Sequence, residues 1–430
     1  MIWEQKSDKV IMLTNTREMG KLKCEQYWPE EGCERFGGIT LTLQEETVRA
    51  DFTIRHIFMI KDGVKHEFHH FHYTSWPDHD VPNASDLLDF LYMVNKHKPN
   101  SNIPQIVHCS AGVGRTGTYI AIDCGLKQGK ETGSFDVIEF IKTIRNQRRG
   151  MIQTAGQLQF VYEALTEGFK YGDTSLDKTV LESQLDANNS STIIGQMPLH
   201  EQCEYLRQIT VNTDTHGIDK DQDSSAYIYP SRTNKIGYIM ADMNGYNTES
   251  IWQLIQNHNC SVTVAFLNSS NEVAICPERD TEEKYGSVEL ENKSDTRVSN
   301  NLNLITVSAS QYENTERKIV KVLLMNVDEH RSWLVLANQI KELVEQIDIH
   351  HNNDNNPIAV FSNELCVGQL FCVIRNIIQR IKLDNEVEIF ENVRKMHQQI
   401  SCVINSQDEY LSLHRFAAEY VKSSSLYANL

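Results

Sequence analysis

The chain has 430 residues, a hydrophobic fraction of 40% and a charged fraction of 23%, the composition of an ordinary globular protein with room for two or three domains. A formal net charge of −17 argues against a general nucleic-acid binder. Ten cysteines are scattered without a CxxC pair, which supports neither a zinc module nor a disulfide framework and favours a reducing compartment.

In chain order, residues 9–14 (KVIMLT) predict a strand. Segments at 38–45, 51–60 and 64–75 alternate apolar and polar residues as antiparallel strands do. Residues 83–96 carry apolar positions at helical spacing, with Asn83 or Ser85 as N-cap. A short strand, IPQIV, and a glycine-rich loop follow, then helices to about Gly129, through VIEFIKTIRNQ, and from Thr154 to about Phe169. Strands before helices predict an α+β fold around a twisted sheet. Residues 173–193 are polar and read as a linker, and THGIDKDQDSSA and HHNNDNNP read as surface loops. No apolar run is long enough to span a bilayer, and no signal peptide is evident.

The chain repeats itself at long period. MIWEQKSDKVIMLTN is similar to LIQNHNCSVTVAFLN, and PQIVHCSAGVGRTGTYIAI to PIAVFSNELCVGQLFCVI, in unbroken order. Two copies of one domain are expected, at 1–172 and 194–425. The second keeps the apolar skeleton and loses the polar residues.

The chemistry of the first copy concentrates in VHCSAGVGRTG. A cysteine between a strand and a helix N-terminus faces unpaired backbone N–H groups, which favour its thiolate and can cradle a tetrahedral dianion. The loop runs His108, Cys109, Ser110, Ala111, Gly112, Val113, Gly114. Gly112 and Gly114 let the backbone turn inward. Arg115 offers a planar fork to two phosphate oxygens. Thr116 can donate to the sulfur, and His108 can orient the loop. The pattern predicts attack by Cys109 on phosphorus. An acid must then protonate the leaving oxygen. TSWPDHDVP supplies Asp78 beside Trp76, framed by Pro77 and Pro82 in a stiff lid whose closure excludes water and favours the protonated acid. QTAGQ supplies Gln153 and Gln157 to place the hydrolytic water.

On these residues the chain resembles the tandem-domain, receptor-type protein tyrosine phosphatases, strongly over 1–170 and weakly over 194–425. The resemblance implies a twisted mixed sheet flanked by helices, the cysteine-based phosphatase fold, in two copies. It makes Cys109 the nucleophile, Arg115 the phosphate clamp, Asp78 the general acid and then base, and Gln153 and Gln157 the water-positioning pair. Thr116 and His108 support the thiolate. Glu18 and Lys23 match a family loop whose glutamate braces the arginine and whose lysine approaches the acid. No metal or organic cofactor is implied. The partners are phosphotyrosine-containing proteins, and the setting is the cytoplasmic portion of a membrane-anchored parent. Two departures stand out. Asp80 occupies the lid position where the family carries glycine. The sequence also enters at the family's MIWEQ segment, so the first domain reads as truncated, without the opening helices and the substrate-facing loop.

Aligned through Pro104 and Pro357, the second copy puts Ser362 at the nucleophile position and Gly368 at the clamp. Phe361 replaces His108, Leu365 and Val367 replace Gly112 and Gly114, and Asn405 and Glu409 replace the glutamines. Asp328 or Glu329 lies near the acid position without the tryptophan–proline frame. An inactive second domain is the expectation. Two functions follow: phosphotyrosine hydrolysis with a regulatory or scaffolding second domain, or a phosphoprotein-binding scaffold because the first domain is truncated. HEFHHFH looks like a metal motif, but a strand would split its histidines between two faces. Arg145, Arg148 and Arg149 read either as a solvated helix end or, as in the family, as contacts to acidic residues flanking phosphotyrosine.

Overall fold

The computed structural model describes residues 1–97, 103–184, 192–209, 226–268, 274–311, 317–328, 332–351, 356–399 and 404–427. Two units divide the chain at Asp173 and Thr174.

In the first unit, a one-turn helix α1 (Ile2–Gln5) precedes strand β1 (Lys9–Met12) and a small hairpin of β2 (Arg17–Glu18) and β3 (Lys21–Leu22). Four antiparallel strands follow: β4 (Cys33–Phe36), β5 (Ile39–Val48), β6 (Phe52–Lys61) and β7 (Val64–Tyr73). Then come α2 (Ala84–Lys96), β8 (Ile106–His108), α3 (Gly114–Thr132), α4 (Val137–Gln147) and α5 (Ala155–Tyr171). The alternating stretches thus form the expected strands, while the sequence reading did not resolve the short β2, β3 and β4. The turn between β6 and β7 is Asp62-Gly63, with φ of 50° and 77°, the left-handed pair that a two-residue hairpin requires.

The sheet runs β4-β5-β6-β7-β1-β8, with β1 parallel to both neighbours. Because β1 is central, both its faces are covered. Ile11 and Leu13 join Phe71, Tyr73, Trp76, Phe90, Tyr119 and Phe160 in the main core. Val10 and Met12 meet Trp28, Ile57 and Phe68 on the opposite face. Helix starts follow local chemistry. The side chains of Asn83, Asp136 and Thr154 accept the N–H groups of Ser85, Glu139 and Gln157, each satisfying a donor that an α-helix leaves open. Gly133, at φ 77°, closes α3 four residues beyond the expected end at Gly129.

The second unit builds an eight-stranded mixed sheet. Its strand Val262–Leu267 lies parallel between Ile358–Ser362 and Lys318–Asn326, as β1 lies between β8 and β7. A register shift at Asn292/Ser294 matches the one at Leu43/Glu45 in the first unit, so the repeat extends to a bulge. Both sheets are flanked by helices, which makes the protein α+β.

The segment expected as a linker at 173–193 is ordered at its start. Leu176–Asp177 pairs with Glu386–Val387, and Lys178–Gln184 is helical. Thr174 donates to Glu388, and Leu181 is fully buried. One buried leucine and a two-residue ladder organise a segment whose composition reads as solvent-exposed. Residues 185–191, most of THGIDKDQDSSA and part of HHNNDNNP lie outside the described residues.

Candidate active site

The thiol stands where β8 turns into α3. Cys109 is 8% exposed and accepts the Thr116 hydroxyl at 3.2 Å. Burial by itself pushes a thiol up. The Thr116 hydroxyl and the N–H groups of Thr116, Gly112 and Val113 outweigh it, and the Cys109 thiol lies below its ordinary value. Gly112 has φ 68°, a conformation that favours glycine. His108 shares a hydrogen bond with the Tyr27 hydroxyl at 2.7 Å, and Tyr27 shares a second with His70 at 3.0 Å. Burial lowers His108, opposed by its contact with the Cys109 carbonyl. The imidazole therefore orients the loop in its neutral form.

The arginine is held as a fork. Arg115 donates to both carboxylate oxygens of Glu18, at 2.6 and 2.9 Å, and to the Leu13 carbonyl at 3.2 Å. Burial works against the Glu18 charge, but Arg115, the Asn15 N–H and the Thr14 hydroxyl together hold its carboxyl below the usual range. Arg115 also donates to the Pro77 carbonyl at 3.3 Å, which ties the lid to the clamp. Asp78 pairs with Lys23 at 3.2 Å and lies 3.9 Å from Arg115. Trp76 is buried, and its indole donates to the Asp80 carbonyl at 3.0 Å. Asp80 is tolerated in the glycine position because the left-handed residue of the lid is His79, at φ 64°. The Asp80 carboxylate accepts the Val81 N–H.

Over the other wall, Gln157 accepts the Gln153 N–H at 2.9 Å. Both amides pack against Gly114, where an added Cβ would stand 2.7 Å from Gln153 and 3.0 Å from Gln157. Cys109, Arg115, Asp78, Glu18, Gln153 and Gln157 line one cleft of about 270 Å³. Ser110 and Ala111 also line it, as does Lys23. Trp76 stands behind the lid in the core.

The protein-tyrosine phosphatase family pattern matches residues 1–167 and 200–419. The chain belongs to the protein-tyrosine phosphatase family. Its whole length is 29% identical to receptor-type tyrosine-protein phosphatase epsilon of Homo sapiens, covering 68% of that protein. It is 27% identical to receptor-type tyrosine-protein phosphatase alpha of Mus musculus, covering 57% of it, and 26% identical to receptor-type tyrosine-protein phosphatase S of Gallus gallus, covering 31%. The chain is thus a tandem protein-tyrosine phosphatase, a hydrolase by family. No helix among the described residues is long and apolar enough to cross a membrane.

In the second phosphatase unit the equivalent loop is closed. Ser362 is buried, and its hydroxyl donates to the Glu364 carbonyl at 2.7 Å while accepting the Glu364 N–H. The helix begins at Leu365, three residues after Ser362, whereas α3 begins five residues after Cys109. Phe361 is packed into the core where the first unit has His108. Ser362, Asn363, Glu364 and Val367 border a remnant of about 10 Å³. Gly368 does not face it: a Cβ there would meet Met240 and Val360. Glu409 accepts the Asn405 N–H as Gln157 accepts that of Gln153. Glu329 lies outside the described residues.

No motif in the sequence singles out Tyr27, three residues after Cys24, although its hydroxyl anchors His108. The sequence alone leaves Arg145 and Arg148 open between solvent and substrate. In the structure both turn onto backbone carbonyls, Arg145 onto Met151 and Ile152, Arg148 onto Ala111 and Gly112. Strand β7 divides its histidines, with His70 and His72 engaged by Tyr27 and the Thr14 carbonyl, and His69 stacked on His56 across the other face.

Proposed function

We propose that the chain hydrolyses phosphotyrosine in proteins through a cysteinyl-phosphate formed on Cys109. The Cys109 sulfur attacks phosphorus and the bond to the tyrosine oxygen breaks. Asp78 gives that oxygen its proton. The loop N–H groups and the Arg115 fork take up the charge on the equatorial oxygens. Water placed by Gln153 and Gln157 then gives a proton to Asp78 and attacks phosphorus. The sulfur–phosphorus bond breaks, and inorganic phosphate leaves. The observation that carries this reading is the convergence on one cleft of a lowered thiol, a carboxylate-braced arginine and a lid aspartate. The second unit is catalytically inactive in this reading and serves a regulatory or scaffolding role, supported by its closed loop. Placement as the cytoplasmic portion of a membrane-anchored parent draws support from the words receptor-type in the relatives' names.

The scaffold alternative has one observation in its favour: β8, which carries the thiol loop, lies at a sheet edge. The deciding experiment is hydrolysis of a phosphotyrosine peptide by the whole chain, with Cys109→Ser alongside. The expected result is phosphate release by the wild type and none by the variant. Folded wild-type protein that binds the peptide and releases no phosphate would establish the scaffold instead.

A further inference from the structure

Arg148 ends α4 with its own N–H bonded to Ile144, and its side chain crosses to the phosphate loop. Its Nε donates to the Gly112 carbonyl at 2.8 Å and its Nη2 to the Ala111 carbonyl at 3.1 Å. A trans peptide is planar, so a carbonyl and the N–H of the following residue point in opposite directions. Fixing the Ala111 carbonyl outward therefore aims the Gly112 N–H inward. Fixing the Gly112 carbonyl outward does the same for Val113. Those two N–H groups are among the donors to the Cys109 sulfur. The next plane is held too, because the Val113 carbonyl accepts the Ile152 N–H at 3.2 Å. A cation on the far end of each peptide also polarises it and strengthens the inward donor.

We propose that Arg148 is a positioning residue of the phosphate loop, holding two peptide planes so that their N–H groups converge on the thiolate and the transferred phosphate. The inference rests on the phosphatase reading of Cys109. It gives the side chain a task different from contact with acidic residues of the substrate. A lysine in its place keeps the charge but has no planar fork for two carbonyls at once.

The test compares wild type, Arg148→Met and Arg148→Lys in the whole chain. Two readouts are taken: kcat and KM on a neutral-flanked and an acidic-flanked phosphotyrosine peptide, and the pH midpoint of Cys109 alkylation by iodoacetamide, followed by mass spectrometry of the Cys109 peptide. Thermal midpoints establish that each variant is folded. For Arg148→Met we expect the alkylation midpoint to move to higher pH and kcat to fall roughly tenfold, ~1.4 kcal/mol, alike on both peptides. Arg148→Lys falls between, and serves alone if the methionine variant does not fold. A wild-type kcat and alkylation midpoint in both variants overturns the proposal. So does an effect confined to KM for the acidic-flanked peptide, which assigns Arg148 to substrate contact. Absence of turnover in the wild type would refute the phosphatase reading, while the alkylation profiles would still decide the role of Arg148.

Discussion

Two loops grow from equivalent strands of one repeated fold, and only one leaves its backbone donors open. In the first unit helix α3 begins at the fifth position after Cys109, with Gly112 in the left-handed region. The loop N–H groups point at the sulfur instead of into a helix. In the second unit the helix starts three positions after Ser362, and Ser362 closes the intervening turn on Glu364. The donors that would cradle an anion are spent on the turn and the helix. Leu365 in place of Gly112 favours that early start, since leucine suits a helix and resists a positive φ. The skeleton survives because burial of alternating apolar residues sets the sheet and does not depend on the loop. An anion cradle needs the costlier arrangement, a loop whose N–H groups turn to the thiol instead of into a helix.

The units also differ at the edge beside that loop. Ile358–Ser362 is flanked on both sides, by Val262–Leu267 and by Tyr238–Asp242. Strand β8 has β1 on one side and is the edge of its sheet. The residues Ile106–His108 are partly exposed where Ile358–Ser362 are buried throughout.

The comparison can be broken most severely at the clamp. Arg115→Gly, which gives the first unit the residue of the second, removes the guanidinium charge that faces the phosphate and should lower kcat on a phosphotyrosine peptide roughly 10⁴-fold. The converse change, Ser362→Cys with Gly368→Arg in a chain already carrying Cys109→Ser, should give no turnover, because position 368 meets Met240 rather than the remnant cleft. Measurable hydrolysis there would show that the second loop can reopen. Next, Asp78→Asn should lower kcat roughly 10³-fold. An asparagine variant that keeps the wild-type kcat would count against Asp78 as the acid.

A smaller effect is expected from Glu18→Gln, about 1–2 kcal/mol of first-unit stability. The folded Glu18 carboxyl lies below its ordinary 4.5. Its contribution is therefore complete above that value and is lost as pH falls through the lower folded value. Denaturant unfolding at a series of pH values should show a shallower acid decline in the glutamine variant. Equal slopes would mean that the Arg115–Glu18 pair aligns the clamp without stabilising the fold. The smallest and most local prediction concerns the edge. Backbone amides at Ile106–His108 should exchange with deuterium faster than those at Ile358–Ser362, because edge groups open without breaking a second ladder. Equal protection in the whole chain would mean that something covers β8.

Much of this was already written in residue order. The alternation at 38–75 determined the antiparallel strands, Asn83 and Thr154 marked helix starts, and HCSAGVGRTG with WPD and QTAGQ supplied the candidate reacting groups, because each depends on neighbours close in sequence. The ordered start of the 173–193 segment was not legible, since it rests on pairing with Glu386–Val387, far along the chain. Nor was the task of Arg148: its two carbonyl partners lie 36 and 37 positions upstream, and a charged residue at a helix end looks the same in sequence whether it faces water or a loop. Asp80 shows the same limit. Sequence reported a charge in a glycine position, and only the fold placed the left-handed turn one residue earlier, at His79. What the sequence determined was the set of chemical groups and the apolar periodicity that carries them. What tertiary structure decided was which backbone donors remain open, because that depends on where each helix begins and on which distant side chain holds each peptide plane.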